Sequence, residues 1–169
     1  IYSGLLALAF SLVWVGRLLP GLLAEPLKLD LGLNDTQVGL LTGLSFGIVY
    51  ALAVLPMARL ADRMNRSFLI MVMLVLFGIS TIAIGMVYSF LLIVILRLIV
   101  GACEAAMFPA SISLVADSYS EERRHLAMAV YTAGIVVWLS LIVAAVGYFE
   151  QWNGWRSAFV MVGLSGVVV

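Results

Sequence analysis

Cysteine is almost absent. Cys103 stands alone in 169 residues, so no internal disulfide can form, and no Cys/His spacing suited to a metal ion occurs. Charge is scarce as well: Lys, Arg, Asp and Glu make up 11% of the chain, against roughly 25% in a soluble domain. Nine Lys and Arg cancel nine Asp and Glu, leaving no basic excess to draw nucleic acid or an anionic surface. No G-x-x-x-x-G-K-[ST] run is present to cradle a nucleotide, which argues against ATP-driven pumping, and no H-E-x-x-H pair could hold zinc. No cofactor, no metal and no enzymatic activity are expected. A charged leader and cleavage site are also missing. The sequence opens on Ile1 in an apolar stretch and reads as part of a longer chain.

What the chain has in excess is hydrocarbon. Hydrophobic residues make up 64% of it and the mean hydropathy is +1.19, so its expected partner is a lipid bilayer. A spanning helix needs roughly 20 mostly apolar residues. On that rule the fold is an all-α membrane protein, a six-helix transmembrane bundle whose sixth helix is cut short. Helices are expected over about residues 1–23, 36–61, 67–87, 90–117, 121–149 and 156–169. Pro20 should bend the end of the first. Asn34 or Asp35 can cap the second, and Ser118 or Ser120 the fifth. The 30 uncharged residues from Ser67 to Leu96 exceed one span, and Tyr88-Ser89 marks the expected turn between two. The links after helices 2 and 4 hold Arg59, Arg63, Arg66, Arg123 and Arg124, whereas the other links hold only Lys28 and Arg156. Basic residues stay in the cytoplasm, which places the amino terminus there too. His125 and the eight methionines read as solvated residue and core filler, and Trp152 and Trp155 as an outer aromatic belt.

Two charges break this pattern. Between Ser67 and Asp117 the only charged residues are Arg97 and Glu104. A charge at the centre of a span costs about 2.5–3.5 kcal/mol on insertion scales. Seven residues is nearly two turns, so both lie on one face about 10 Å apart along the axis, too far for a direct pair. Each needs a partner from another helix, water or a ligand. Arg17 falls at a similar depth in the first helix. Gly101, Ala102, Ala105 and Ala106 surround Glu104 with little bulk. Burial favours its neutral acid and a nearby guanidinium its carboxylate, so Glu104 is a candidate protonatable switch. Arg97 and Arg17 are candidates for attracting a substrate anion. The alternative is a fixed Arg–Glu pair that locks helices together. Gly39, Gly43 and Gly47 share one face of helix 2 at four-residue spacing, and form a groove either for packing within the bundle or for sliding against a second one.

Four segments carry a family resemblance. "LGLNDTQVGLLTG" is similar to the start of helix 2 in the spinster-like branch of the major facilitator superfamily. "ARLADRMNR" resembles the superfamily's signature link, with Asp62, Arg63 and Arg66 in place. "RLIVGACEAAMFPASISLVADSYSEERR" resembles the spinster-like helix 4 through Arg97, Gly101, Glu104, Pro109 and Asp117. "GWRSAF" resembles the usual start of helix 6. Departures are Ala58 for the usual Gly, Ser67 for a basic residue, and Asn65 for Gly, the last typical of the branch. Gly16 stands where the branch usually has Asp before Arg17, which alters or moves any proton coupling that depends on it. Helix 5 lacks the Gly-Pro motif of drug/proton antiporters.

The resemblance implies a twelve-helix fold of two six-helix bundles, with a small-molecule substrate bound between them near the midplane. This chain would supply the amino-terminal bundle, and a carboxy-terminal one would be its missing partner. It further implies a secondary transporter, proton-coupled and moving a small organic or amphipathic anion, in the plasma or inner membrane. Asp62, Arg63 and Arg66 would latch the bundles in one state; simple topology control by basic residues is the alternative. Asp117 is either a solvated cap or part of a cluster with Arg123 and Arg124. A non-transporting receptor or structural protein of the same fold stays open. A membrane enzyme using Glu104 as acid or base would lack a metal set and a second carboxylate nearby.

Overall fold

The computed structural model describes residues 2–169, with side chains from Ser3 onward; Ile1, where the first helix is expected to begin, lies outside the described residues. Among these the chain is helical throughout, with no strand. Six helices follow in order: α1 Tyr2–Leu22, α2 Ala24–Leu31, α3 Asp35–Arg63, α4 Arg66–Met86, α5 Phe90–Ser118 and α6 Glu121–Val168. All except α2 are long and apolar enough to cross a membrane. The turn expected at Tyr88-Ser89 falls between α4 and α5.

Three features depart from the expected helices. The segment after helix 1 is not merely a polar loop, because "AEPLKLDL" winds into α2 and buries Leu27. Gly32 ends it at φ 63°, in the left-handed region, with Leu33 N donating to Lys28 O. Such a cap favours glycine because it lacks a Cβ. Lys28 Nζ lies 2.5 Å from Asp35 Oδ1, and that hydrogen bond raises the lysine pKa above its ordinary value. Second, α3 contains a π turn over Leu40–Leu44, whose displaced Leu40 carbonyl accepts from Ser45 Oγ at 2.7 Å. Third, expected helices 5 and 6 are not separated by a loop. They are two arms of α6, residues 121–153 and 155–168, meeting at Gly154 with φ 74° and ψ 169°. That conformation is essentially restricted to glycine, so one residue makes the reversal that seven polar-looking residues suggested.

Caps follow chemistry more than position. Asn34 forms a capping box with Gln37 at the start of α3. Asn65, where the superfamily usually has glycine, accepts from Ser67 N and Phe68 N and caps α4. Ser118 and Ser120 do not cap α6: Ser118 Oγ turns back to Leu114 O, and Ser120 has no capping side-chain bond.

The core lies where α1, α4, α5 and the second arm of α6 meet. α4 and that arm approach through glycine: a Cβ on Gly163 would stand 2.7 Å from Gly78 O. Small residues let backbones touch and add dispersion where no hydrophobic force acts between helices in lipid. α1 meets the first arm of α6 similarly, with Gly134 against Ala7 and Ser11 Oγ donating to Ile135 O at 3.2 Å. At the opposite end from the α5–α6 link, Arg156 donates to Gly85 O and Val87 O at 3.2 and 3.0 Å. It also bonds Asp30 of α2 at 2.8 Å and stacks on Tyr88 and Trp155.

By contrast, α3 and the first arm of α6 expose most of their surface. Only Leu41, Ser45, Phe46 and Ala61 of α3 are buried. The first arm buries Ala127, Tyr131, Ile135 and Val146, a single narrow face. Replacing Gly154 by Ala is expected to lower stability by about 1–3 kcal/mol through backbone strain, and Asn65→Ala by about 1 kcal/mol through loss of the cap. Thermal unfolding of the purified protein in detergent would measure both, with Gly147→Ala, which meets no neighbour, as control.

Candidate functional site

Arg97 and Glu104 share a face of α5, and the structure turns that face onto α1. Both are buried, at 0% and 3% exposure. They do not pair with each other; each takes a partner from α1. Arg17 Nη1 lies 3.5 Å from Glu104 Oε1. Arg97 donates through Nη1 to Gly16 O at 2.6 Å and through Nη2 to Arg17 O at 3.0 Å. Two elementary charges at 3.5 Å attract by about 5 kcal/mol at an effective dielectric of about 20. Each mid-membrane charge costs about 2.5–3.5 kcal/mol to insert, so the attraction offsets part of the cost of the two, reduced further by solvent screening at the 45% exposed Arg17.

Phe46 of α3 completes the joint. Its ring centroid is 4.7 Å from the Arg17 guanidinium carbon and 5.7 Å from that of Arg97, a cation–π arrangement with both. The ring packs over Gly101, where a Cβ would stand in ordinary contact at 3.4 Å from Phe46 Cδ2. Gly39, Gly43 and Gly47 do not pack within this bundle. All three are exposed, and a Cβ on any would meet nothing within 4 Å.

Beside the ion pair opens a cavity of about 440 Å³. Arg17 and Glu104 line it, together with Phe10 and Trp14 of α1, Tyr50 of α3, Phe108 of α5 and Tyr131 and Thr132 of α6. Phe10 contacts Trp14 and Phe108 with ring centroids 6.0 and 5.5 Å apart. Arg17 leaves 45% of its side chain exposed, whereas Glu104 is nearly enclosed. Among the described residues its second oxygen, Oε2, has no hydrogen-bond partner, nor does the Tyr131 hydroxyl. An aromatic chamber with one half-free cation and one half-free carboxylate can take an apolar body with a polar end. It can also hold a proton on Oε2.

Arg97, a candidate for attracting a substrate anion, does not border the cavity, because both its terminal nitrogens are engaged by the backbone of α1. The aromatic lining was not singled out from the sequence, although its signal is present. Phe10 and Trp14 precede Arg17 by seven and three residues, and Phe108 follows Glu104 by four, so each shares a helical face with its charge.

The remaining candidates lie at the end where α3 runs into α4. Arg66 pairs with Asp117 at the end of α5. Neither a solvated cap nor a cluster with Arg123 and Arg124, the two readings open for Asp117, describes this contact; the guanidinium of Arg124 donates to Ala116 O at 3.1 Å. Asp62 and Arg63 are exposed and form no ion pair among the described residues. A G-x-S-x-G run also occurs, Gly43 to Gly47. A hydrolase nucleophile elbow needs a strand-to-helix turn, whereas this run lies inside α3 with Ser45 bonded to Leu40 O. His125, the only histidine, is exposed in the first turn of α6.

A family model described as Major Facilitator Superfamily matches residues 5–169. The chain belongs to that superfamily. It is 38% identical over 166 residues to an MFS-type efflux pump of Mycolicibacterium smegmatis, covering 98% of this chain and 39% of the pump. It is 22% identical over 139 residues to a D-galactonate transporter of Escherichia coli, covering 82% of this chain and 32% of that protein. Among solved structures it resembles a bacterial homologue of the human lysosomal transporter Spinster, inward-facing and unoccupied. There the TM-score is 0.86 at 29% identity, over 99% of this chain and 40% of the other. The chain thus spans about two fifths of the pump and of the Spinster homologue. Its fold is that of half a major facilitator bundle pair.

Gly16 has a local reason to be glycine. A Cβ there would stand 2.3 Å from Cε2 of Phe77, a fully buried ring. The carboxylate usual at this place in the spinster-like branch would have to displace that ring. Gly16→Asp is expected to lose about 1–3 kcal/mol by overpacking, read as a lower melting temperature. Combining it with Phe77→Ala should recover part of the loss; simple addition of the two losses would show that the ring is not the obstacle.

Proposed function

We propose that this chain is the amino-terminal bundle of a secondary active transporter that moves a small organic or amphipathic anion together with protons by alternating access. The observation that carries the reading is the Arg17–Glu104 pair at the edge of an aromatic cavity. Glu104 as carboxylate holds Arg17; Glu104 protonated does not. A substrate anion at Arg17 and a proton on Glu104 therefore favour each other, and the two sites share one free energy of coupling. This linkage needs only the single guanidinium between them.

The placement of the cavity supports the same reading. α1 and α5 form its floor, while α3 and the first arm of α6 stand on either side with most of their surface unburied. A carboxy-terminal bundle meeting those two helices would close the chamber. The exposed Gly39–Gly43–Gly47 stripe would then lie at the contact between bundles, where small residues allow one surface to slide on another. Asp62, Arg63 and Arg66 fit a conformational latch at the cytoplasmic end, with Arg66 already engaged by Asp117. The amino terminus and the basic links are assigned to the cytoplasm of a plasma or inner membrane. The aromatic lining favours an anion with an apolar body over a polyhydroxylated one, because the chamber has few hydrogen-bonding groups to replace water around hydroxyls.

Reconstituted vesicles of the full-length protein, loaded with a fluorescent pH indicator, would test this with salicylate and cholate as probes. An inward anion gradient should acidify the lumen. Glu104→Gln should reduce that acidification by at least about tenfold, equivalent to about 1.4 kcal/mol of coupling, and Arg17→Gln should raise the half-saturating anion concentration. Full, pH-dependent transport by the Glu104→Gln protein would remove this carboxyl from the mechanism.

A further inference from the structure

Arg97 is buried and charged, yet it touches neither the cavity nor an acid. Its task is found one helix away. Pro20 lies inside α1, and a proline has no N–H to donate to the carbonyl four residues earlier. That carbonyl belongs to Gly16. The helix does not end there, since Leu23 N donates to Leu19 O at 2.9 Å, so Gly16 O lacks its usual i+4 donor in a continuing helix. Gly16, Leu19 and Pro20 are all buried, away from bulk solvent that could serve it. Arg97 Nη1 occupies the vacant place at 2.6 Å, and Nη2 reaches the next carbonyl, Arg17 O, at 3.0 Å.

The other two mid-helix prolines are not treated this way. Pro56 in α3 and Pro109 in α5 likewise take the i+4 N–H from the carbonyls of Leu52 and Ala105. Among the described residues neither of those receives a side-chain donor, and Pro20 alone has a guanidinium opposite it. The fork also spans the carbonyl of the very residue whose side chain meets Glu104.

We infer that Pro20 and Arg97 form one device: the proline opens a carbonyl on α1, the arginine of α5 fills it, and the joint fixes where Arg17 faces Glu104. Arg97 is on this account a positioning residue. It acts on the proposed coupling pair through the backbone and does not bind substrate. The inference rests on Arg17 and Glu104 being that pair only for its functional meaning; the Pro20–Arg97 dependence itself can be tested without any substrate.

The test compares full-length wild type, P20A, R97M and P20A/R97M. Methionine removes every donor at little change in length, and the alanine of P20A restores the N–H that Gly16 O lacks. Two ligand-free readouts apply: the melting temperature in detergent, and the rate at which dicyclohexylcarbodiimide labels Glu104, quantified by peptide mass spectrometry. R97M should lower the melting temperature by about 5 °C or more. It should also raise labelling of Glu104 about fivefold, the change expected when one hydrogen-bonded contact is lost. P20A alone should stay near wild type, and P20A/R97M should recover at least half of each change. A double variant as impaired as R97M, or failure of both to yield folded protein, would show that Arg97 acts independently of Pro20 and overturn the inference. If recovery is seen but salicylate and cholate drive no proton movement in wild type, the joint stands and the transport reading fails.

Discussion

The half bundle is organised around the crossing of α1 and α5, where two guanidiniums and one carboxylate find their partners within the protein. Hydrocarbon makes every unpartnered charge or carbonyl expensive, and the solution here is reciprocal. α5 supplies a donor for the backbone of α1, and α1 supplies a cation for the carboxylate of α5. Each helix thereby satisfies a group that the other would leave bare. Phe46 lies across both cations and packs over Gly101, and α3 is drawn in by that ring. The cavity beside this crossing is what remains open once those demands are met.

The two halves of the joint differ in mobility. Arg97 is fully enclosed and its hydrogen bonds are to backbone, so it cannot release α1 without leaving the Gly16 carbonyl without that donor. The Arg17–Glu104 contact is longer, one partner is half exposed, and one carboxylate oxygen is free. An enclosed joint next to a longer, partly exposed contact is the arrangement that the proposed mechanism calls for, with the helix crossing kept intact while the polar site changes charge. Helix exposure follows the same division: α4 and the second arm of α6 are sealed by glycine contacts, while α3 and the first arm stay open on the cavity side.

Much of this was legible in the sequence, and the limits have physical causes. Long apolar runs mark the spans because lipid demands satisfied backbones and apolar surfaces, so five spanning segments and the Tyr88-Ser89 turn were readable. Arg97, Glu104 and Arg17 stood out because each breaks a run. What could not be read is which atom each would meet. Composition cannot tell that Arg97 faces a carbonyl lacking its i+4 donor rather than an anion, although Pro20 stands at the spacing that creates one. α2 was missed because eight amphipathic residues between polar ones look like a loop. The α6 break was misplaced because one glycine at positive φ does what a longer linker usually does. Gly39, Gly43 and Gly47 show the converse: spacing reveals that a close-approach face exists, but only coordinates show that nothing in this bundle occupies it.

The clasp at Arg156 has a consequence for how the protein is made. Arg156 binds Asp30, 126 residues earlier, and the end of α4, so it ties the first link to the last helix. A ribosome must deliver nearly the whole segment into the bilayer before this fastening can close. Until then α2 is held at that rim by its Lys28–Asp35 contact and the buried Leu27. The fastening of the first link to the last helix is therefore the one contact at this rim that only a nearly finished segment can supply.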